Sequence, residues 1–269
     1  MLDDPETINA VAARQSEILD LARRAGSVTV DELAERFGVT PQTIRRDLNI
    51  LARRAMLSRV HGGAIITSGV RNIAYDARRT VASGAKAAIG RAAAALIPDG
   101  ASVFLNIGTT TEAVAENLTQ RGDLIVISNN LNVIDILGHN DAINLVTVGG
   151  QVRQSDRAIV GPLAIEFIRS FKVDFAVIGA SAIDRDGSLL DFAIDEVQVS
   201  QTIVRNARQV ILVADSSKVG RAAPVRIGTL ESIDFFVTDR IAQPDLRAAC
   251  AQRNVRVIET CVGDRPGGA

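Results

Sequence analysis

The sequence predicts an α/β chain in two parts, an N-terminal winged helix-turn-helix followed by a mostly parallel α/β domain. Three observations carry that expectation. Between Thr29 and Arg54 two capped helical segments are separated by a short glycine-containing turn. From about Val70 onward, short apolar runs alternate with helical ones. The chain has 269 residues, room for two modest domains.

The elements follow in order. Ser16 to Ala25 (SEILDLARRA) puts Ile18, Leu21 and Ala22 on one helical face and stops at Gly26. After a short VTV segment, Thr29 and Glu32 form a capping box that opens the helix DELAERF, which ends at Gly38. Thr40 caps a third helix with Pro41 at its first position, where a missing N–H costs nothing. In PQTIRRDLNILARRA, Ile44, Leu48 and Leu51 repeat at i, i+4, i+7 and face a core, leaving Gln42, Thr43, Arg45, Arg46 and Asn49 outside. That is a helix-turn-helix with a polar reading face. Gln suits adenine, Arg suits guanine, and Thr suits base or phosphate. Met56 to Ala64 alternates and turns on Gly62-Gly63, a hairpin wing whose Arg59 and His61 reach backbone phosphate, as Arg53 does from the helix. The DNA-reading set is therefore Thr40, Gln42, Thr43, Arg45, Arg46, Asn49, Arg53, Arg59 and His61. Residues 1–65 are read as this domain, 66–76 as a linker and 77–269 as a second domain for sensing and oligomerisation.

Charge agrees with a local rather than a global nucleic-acid surface. The net charge is −1, yet residues 45–59 carry five Arg against one Asp. With 47% hydrophobic and 23% charged residues the composition is that of a soluble globular protein. No Trp, one Tyr and eight Phe leave the core to Ala, Val, Ile and Leu. Two cysteines, Cys250 and Cys261, form no CxxC pair, and with only His61 and His139 beside them neither a metal site nor a cofactor is expected. Free cysteines, no leader pattern and no run of about 18 apolar residues point to the cytoplasm and away from a membrane.

In the second part, strands are expected at 102–107, 124–127, 143–148, 173–179, 209–214 and 233–238, with helices near 85–96, 111–120, 130–138, 161–170, 194–207 and 243–253. Such alternation implies a parallel sheet covered on both faces, whose ligands gather beyond the carboxyl ends of the strands. Those ends read Gly108-Thr109-Thr110-Thr111, Ser128-Asn129-Asn130, Gly149-Gly150-Gln151, Gly179-Ala180-Ser181 and Asp215-Ser216-Ser217-Lys218. The first, FLNIGTTTEAVAENL, sets three hydroxyls beside the unpaired N–H groups of a helix start, a place for phosphate. No Gly-Lys-Ser/Thr follows, so it is not an ATP-type P-loop. Lysine is scarce, three against 27 Arg, which draws notice to Lys218 as a compact positive charge. The effector-binding set is Gly108, Thr109, Thr110, Thr111, Ser128, Asn129, Gly149, Gly150, Glu196 and Lys218.

SVTVDELAERFGVTPQTIRRDLNILARRAMLSRVHGGA resembles the winged helix-turn-helix of the DeoR family of bacterial repressors, and NIGTTTEAVA, SNNLNV, VGG, DEV and VADSSKVGR resemble its sensor domain. The resemblance implies a sensor fold similar to ribose-5-phosphate isomerase, operator double-stranded DNA as one partner and a small phosphorylated metabolite as the other. The run IVGPLAIEFIRSFKVDFAVIGASAIDRDGSLLDF is most similar to the glycerol-responsive branch of that family, implying glycerol 3-phosphate, with another sugar phosphate as the alternative. Asn106 and Ser128 stand where the family often has Asp and Thr. A homo-oligomer, dimer or tetramer, follows from reading two half-sites with one helix each. The rival expectation is a sugar-phosphate isomerase with a DNA-binding appendage, Glu196 serving as general base and Lys218 stabilising an enediolate.

Overall fold

The computed structural model describes residues 5–25, 27–53, 57–60, 63–65, 75–80 and 82–260. The chain divides into two compact units, Met1–Arg78 and Arg79–Ala269.

In the first unit, α1 (Pro5–Ala25) begins well before the Ser16 that the apolar spacing marked. It is followed by β1 (Ser27–Thr29), α2 (Val30–Phe37), α3 (Pro41–Arg53), β2 (Ser58–Val60) and β3 (Gly63–Ile65). The capping box is present: Thr29 Oγ1 accepts from the Glu32 backbone N–H while Glu32 reaches back to the Thr29 N–H. Gly38 closes α2 at φ 61°, a left-handed conformation that favours glycine. Ile18, Ala22, Leu33, Ile44, Leu48 and Leu51 are buried together with Val28 and Ala64 from the wing. The wing is antiparallel, ordered β1-β3-β2, with Arg59 opposite Ala64. Arg14 and Gln15 of α1 both donate to the buried carboxylate of Asp47 on α3, at 2.7 and 2.9 Å, and so fix the third helix against the first. The expected linker falls mostly on residues 66–74, which lie outside the described residues, and α4 (Tyr75–Thr80) reaches the division between the units.

The second unit runs α5 (Ser83–Ala94), β4 (Ser102–Leu105), α6 (Thr109–Glu116), β5 (Leu124–Ser128), α7 (Leu131–Leu137), β6 (Ile143–Thr147), β7 (Gln151–Arg153), β8 (Ala158–Val160), α8 (Pro162–Arg169), β9 (Val173–Ile178), β10 (Ala182–Ile183), β11 (Ser188–Asp191), α9 (Ile194–Arg205), β12 (Ala207–Val213), β13 (Val225–Thr229), β14 (Phe235–Thr238), α10 (Pro244–Gln252) and β15 (Arg256–Glu259). Seven strands form one parallel sheet in the order β15-β14-β12-β9-β4-β5-β6. Alternate residues point to opposite faces. Val103, Leu105, Val177, Ile211 and Val237 meet Ile89, Ala93, Val114 and Leu137 of α5, α6 and α7. Phe104, Ala176, Ile178, Leu212 and Phe236 meet Ile168, Val197, Ile203 and Leu246 of α8, α9 and α10. Strand order reverses between β4 and β9, the place where doubly covered sheets open a crevice.

The alternation of apolar runs did not anticipate β15, the antiparallel hairpin β7–β8 or the antiparallel group β10-β11-β13. Most of these strands have two to four residues, too few for a periodicity to register.

Candidate functional site

On α3, Gln42, Arg45, Arg46 and Asn49 are exposed and, with Ile50, line one groove. Thr43 is half-buried, and its backbone N–H donates to Thr40 Oγ1 at 3.2 Å, so Thr40 serves as the helix cap. Arg53 lies in α3 and Arg59 in β2, but their side chains, like all of His61, lie outside the described residues.

The second site is built at the carboxyl end of β4. Gly108 adopts φ 137°, a region that L side chains rarely enter, and turns the chain into α6. Among the described residues no side chain caps α6, which leaves its first N–H groups open to a ligand. Thr109 is half-buried, Thr110 is buried, and the fully buried Thr111 uses its hydroxyl to donate to Gly108 O at 2.6 Å. Ser128, beside it on β5, likewise donates to Leu105 O at 2.7 Å. Asn129 donates through Nδ2 to Ile159 O, while its Oδ1 is buried and accepts from none of the described residues. Glu112, in the first turn of α6, accepts from Asn130 and Asn132, tying the two strand ends together.

Gly149 and Gly150 leave β6, two strands from β4, and lead into β7. Gly150 takes φ 151°, where an added Cβ would come within 2.9 Å of Ile159. Their part is in the backbone path of the hairpin, and both are exposed. Lys218 lies two strands away on the other side, in a short 3-10 turn after β12 whose next residues pair with Ile183.

Glu196 sits in the first turn of α9 and is almost buried. Arg153 Nη2 donates to Glu196 Oε2 at 2.6 Å and to Asp156 Oδ2 at 2.6 Å, with Nε on Asp156 Oδ1 at 2.9 Å. Burial alone would lower the guanidinium's pKa; hydrogen bonds and charge from Asp156 and Glu196 outweigh it and hold the group above its ordinary value. One turn further along α9, Ser200 accepts from Asn106 Nδ2 at 2.8 Å, so the α9 start lies over the end of β4.

Two residues of this region escaped the sequence reading. Lys86 is one. An added Cβ on Gly90 would lie 2.4 Å from Ala113 O, so α5 and α6 touch at that level. α5 leads into β4 and α6 leaves it, so they run side by side in the same sense; Lys86 stands one turn before Gly90 as Thr109 does before Ala113. Lys86, itself buried, is thereby on the level of the start of α6. Its signal was available: Lys86, Ile89, Gly90, Ala93 and Ala94 form the buried stripe of α5, and a lysine on such a stripe is out of place. Arg153 is the other; its nearby partner Asp156 is an ordinary turn pair, and no local pattern marks its second partner, Glu196, 43 residues away.

Among the described residues no helix is long and apolar enough to cross a membrane, and no cluster of metal-ligating side chains is found. Residues 14–70 match the DeoR-like helix-turn-helix domain, and residues 81–240 match the DeoR C-terminal sensor domain. The glycerol-3-phosphate regulon repressor of Escherichia coli is 41% identical over 226 residues, 84% of this chain and 90% of that protein. Its namesake in Haemophilus influenzae is 43% identical over 230 residues, 86% and 90%. Among solved structures, ribose 5-phosphate isomerase A from Methanocaldococcus jannaschii aligns with a TM-score of 0.38 and 19% identity, over 50% of this chain and 53% of that one, a likeness of sheet architecture that says nothing of chemistry. With its two matched domains and these relatives along most of its length, the chain belongs to the DeoR family of helix-turn-helix transcriptional repressors.

Proposed function

We propose that this repressor holds its operator through the outer face of α3 and the wing, and releases it when a small phosphorylated metabolite, glycerol 3-phosphate, occupies the end of β4. The observation that carries the DNA half is the row Gln42, Arg45, Arg46 and Asn49 on one exposed groove, opposite the buried Ile44, Leu48 and Leu51. Hydrogen-bonding side chains that converge on one rigid helix face suit base edges in a major groove. Arg53, Arg59 and His61 then contact backbone phosphate, and two copies of the chain read two half-sites. Residues 1–65 are the reading domain, joined through 66–76 to the sensor.

The effector half is supported by the uncapped start of α6, the Thr109 and Thr110 hydroxyls and the level position of Lys86, a combination suited to a phosphate. Ser128 and Asn129 follow at the end of the neighbouring β5 and Glu196 at the start of α9, while Lys218 stands two strands from β4, after β12. Glycerol 3-phosphate comes from the named relatives, both glycerol-3-phosphate regulon repressors. Regulation fits this site better than isomerisation, because the relatives are repressors and glycerol 3-phosphate has no carbonyl to isomerise.

The test uses duplex DNA selected by the protein from a random pool. Gel-shift titration should show a complex that dissolves on adding glycerol 3-phosphate and persists with glycerol. A complex indifferent to every phosphorylated C3–C6 metabolite tried would leave the DNA half standing and remove the effector half.

A further inference from the structure

The β7–β8 hairpin is attached to its surroundings in three ways. Toward β5 it is hydrogen-bonded through the backbone, Ile159 N to Asn129 O at 2.7 Å and Leu131 N to Arg157 O at 3.1 Å, and through Asn129 Nδ2 to Ile159 O at 3.2 Å. Underneath, Ala158 and Val160 pack on Ile107, the residue before Gly108. Toward α9, Arg153 reaches across to Glu196. Arg153 stands opposite Ala158 in the ladder, so both side chains share the face that meets Ile107. Glu196 lies one turn before Ser200, which contacts Asn106. The Arg153–Glu196 contact is therefore beside the start of α6.

We propose that Arg153 reports effector occupancy: a phosphate at the start of α6 draws the guanidinium from Glu196, and the hairpin parts from α9. This rests on the reading of that place as a phosphate site. Arginine's planar fork matches a phosphate as well as it matches a carboxylate, so the two compete for one side chain. A dianion beside Glu196 also repels that carboxylate, so one event weakens the hairpin's tie to α9 and strengthens its tie to the ligand. A ligand shifts a conformational equilibrium only through such a difference in its contacts. Gly150 at its entry, packed against Ile159, and Gly161 at its exit, open on its Cβ side, hold φ 151° and 94°. Those glycines bracket residues 151–160.

Isothermal titration of the full chain with glycerol 3-phosphate, paired with hydrogen exchange of residues 151–160, tests the proposal. In the wild type, saturating effector should change exchange in the hairpin. Glu196→Gln should bind the effector more tightly, having released Arg153 from its competitor. Arg153→Lys should bind it about ten-fold more weakly or worse, losing the fork but keeping the charge, and should lose the hairpin response. Unchanged exchange in the effector-saturated wild type overturns the latch and needs no variant. So does a Glu196→Gln protein that binds as weakly as Arg153→Lys, since Glu196 would then be a ligand group itself. No binding heat from the wild type with glycerol 3-phosphate or glucose 6-phosphate removes the phosphate reading, and the latch with it.

Discussion

Asp47 lies in the middle of α3 on its buried face, its side chain only 3% exposed and gripped by Arg14 and Gln15. Removing one partner of a buried pair leaves the other unpaired and costs on the order of 3 kcal/mol. Asp47→Ala should lower stability by about that much in urea titrations of the full chain followed by circular dichroism, whereas Glu17→Ala, which breaks the exposed pair with Arg36, should change it by less than about 1 kcal/mol. Arg46→Ala acts on recognition instead. If Arg46 reads a base, operator affinity should fall by about 1–3 kcal/mol with specificity relaxed at one position. Unaltered affinity in a titration would mean that α3 is turned another way in the groove. In the sensor, Thr110→Ala should leave operator binding intact and raise the effector concentration for release by roughly 10- to 150-fold, the loss of one hydrogen bond to an ionised group. Release at wild-type effector levels would place the ligand elsewhere.

At the scale of elements, caps and apolar stripes decide what forms and close approaches decide how it packs. α5 and α6 approach so closely at Gly90 that no side chain fits between them. Gly90→Val should therefore destabilise the sensor by about 1–3 kcal/mol despite its better packing volume, and a melt unchanged from wild type would refute that contact. β4 and β9 are stitched at their entry by Asp174, which accepts from the Ser102 backbone N–H and hydroxyl at 2.9 and 2.6 Å. Those bonds hold its pKa below the ordinary value, as bonds from Ser188 do for Asp186 and from the Ile241 N–H for Glu259. A depressed carboxylate contributes stability above its unfolded pKa and loses it as pH falls through the folded one. The sensor should thus hold its stability down to about pH 4 and lose it below, in thermal melts across pH.

At the scale of the whole molecule, two compact units with separate cores imply separate responses. Glycerol 3-phosphate at 100 times its Kd adds about 2.7 kcal/mol to whatever binds it. Calorimetry should show the sensor transition rising by about 5–10 °C and the helix-turn-helix transition holding its place, and the reverse pattern would put the ligand in the wrong unit. The sequence by itself determined the two folds, the capped helix α3 and which loops end on glycine, threonine and asparagine. Those are local properties: an apolar period of 3.6 or 2, a Thr29–Glu32 box, a Pro41 start. Only the tertiary structure decided which of those loops share a place. Strand order set Gly149 and Lys218 on opposite sides of β4, two strands removed. Helix contact set Lys86 level with Thr109, and the hairpin brought Arg153 to Glu196. Such pairings join residues tens of positions apart, where no periodicity reaches; chain topology and the burial of charge select them.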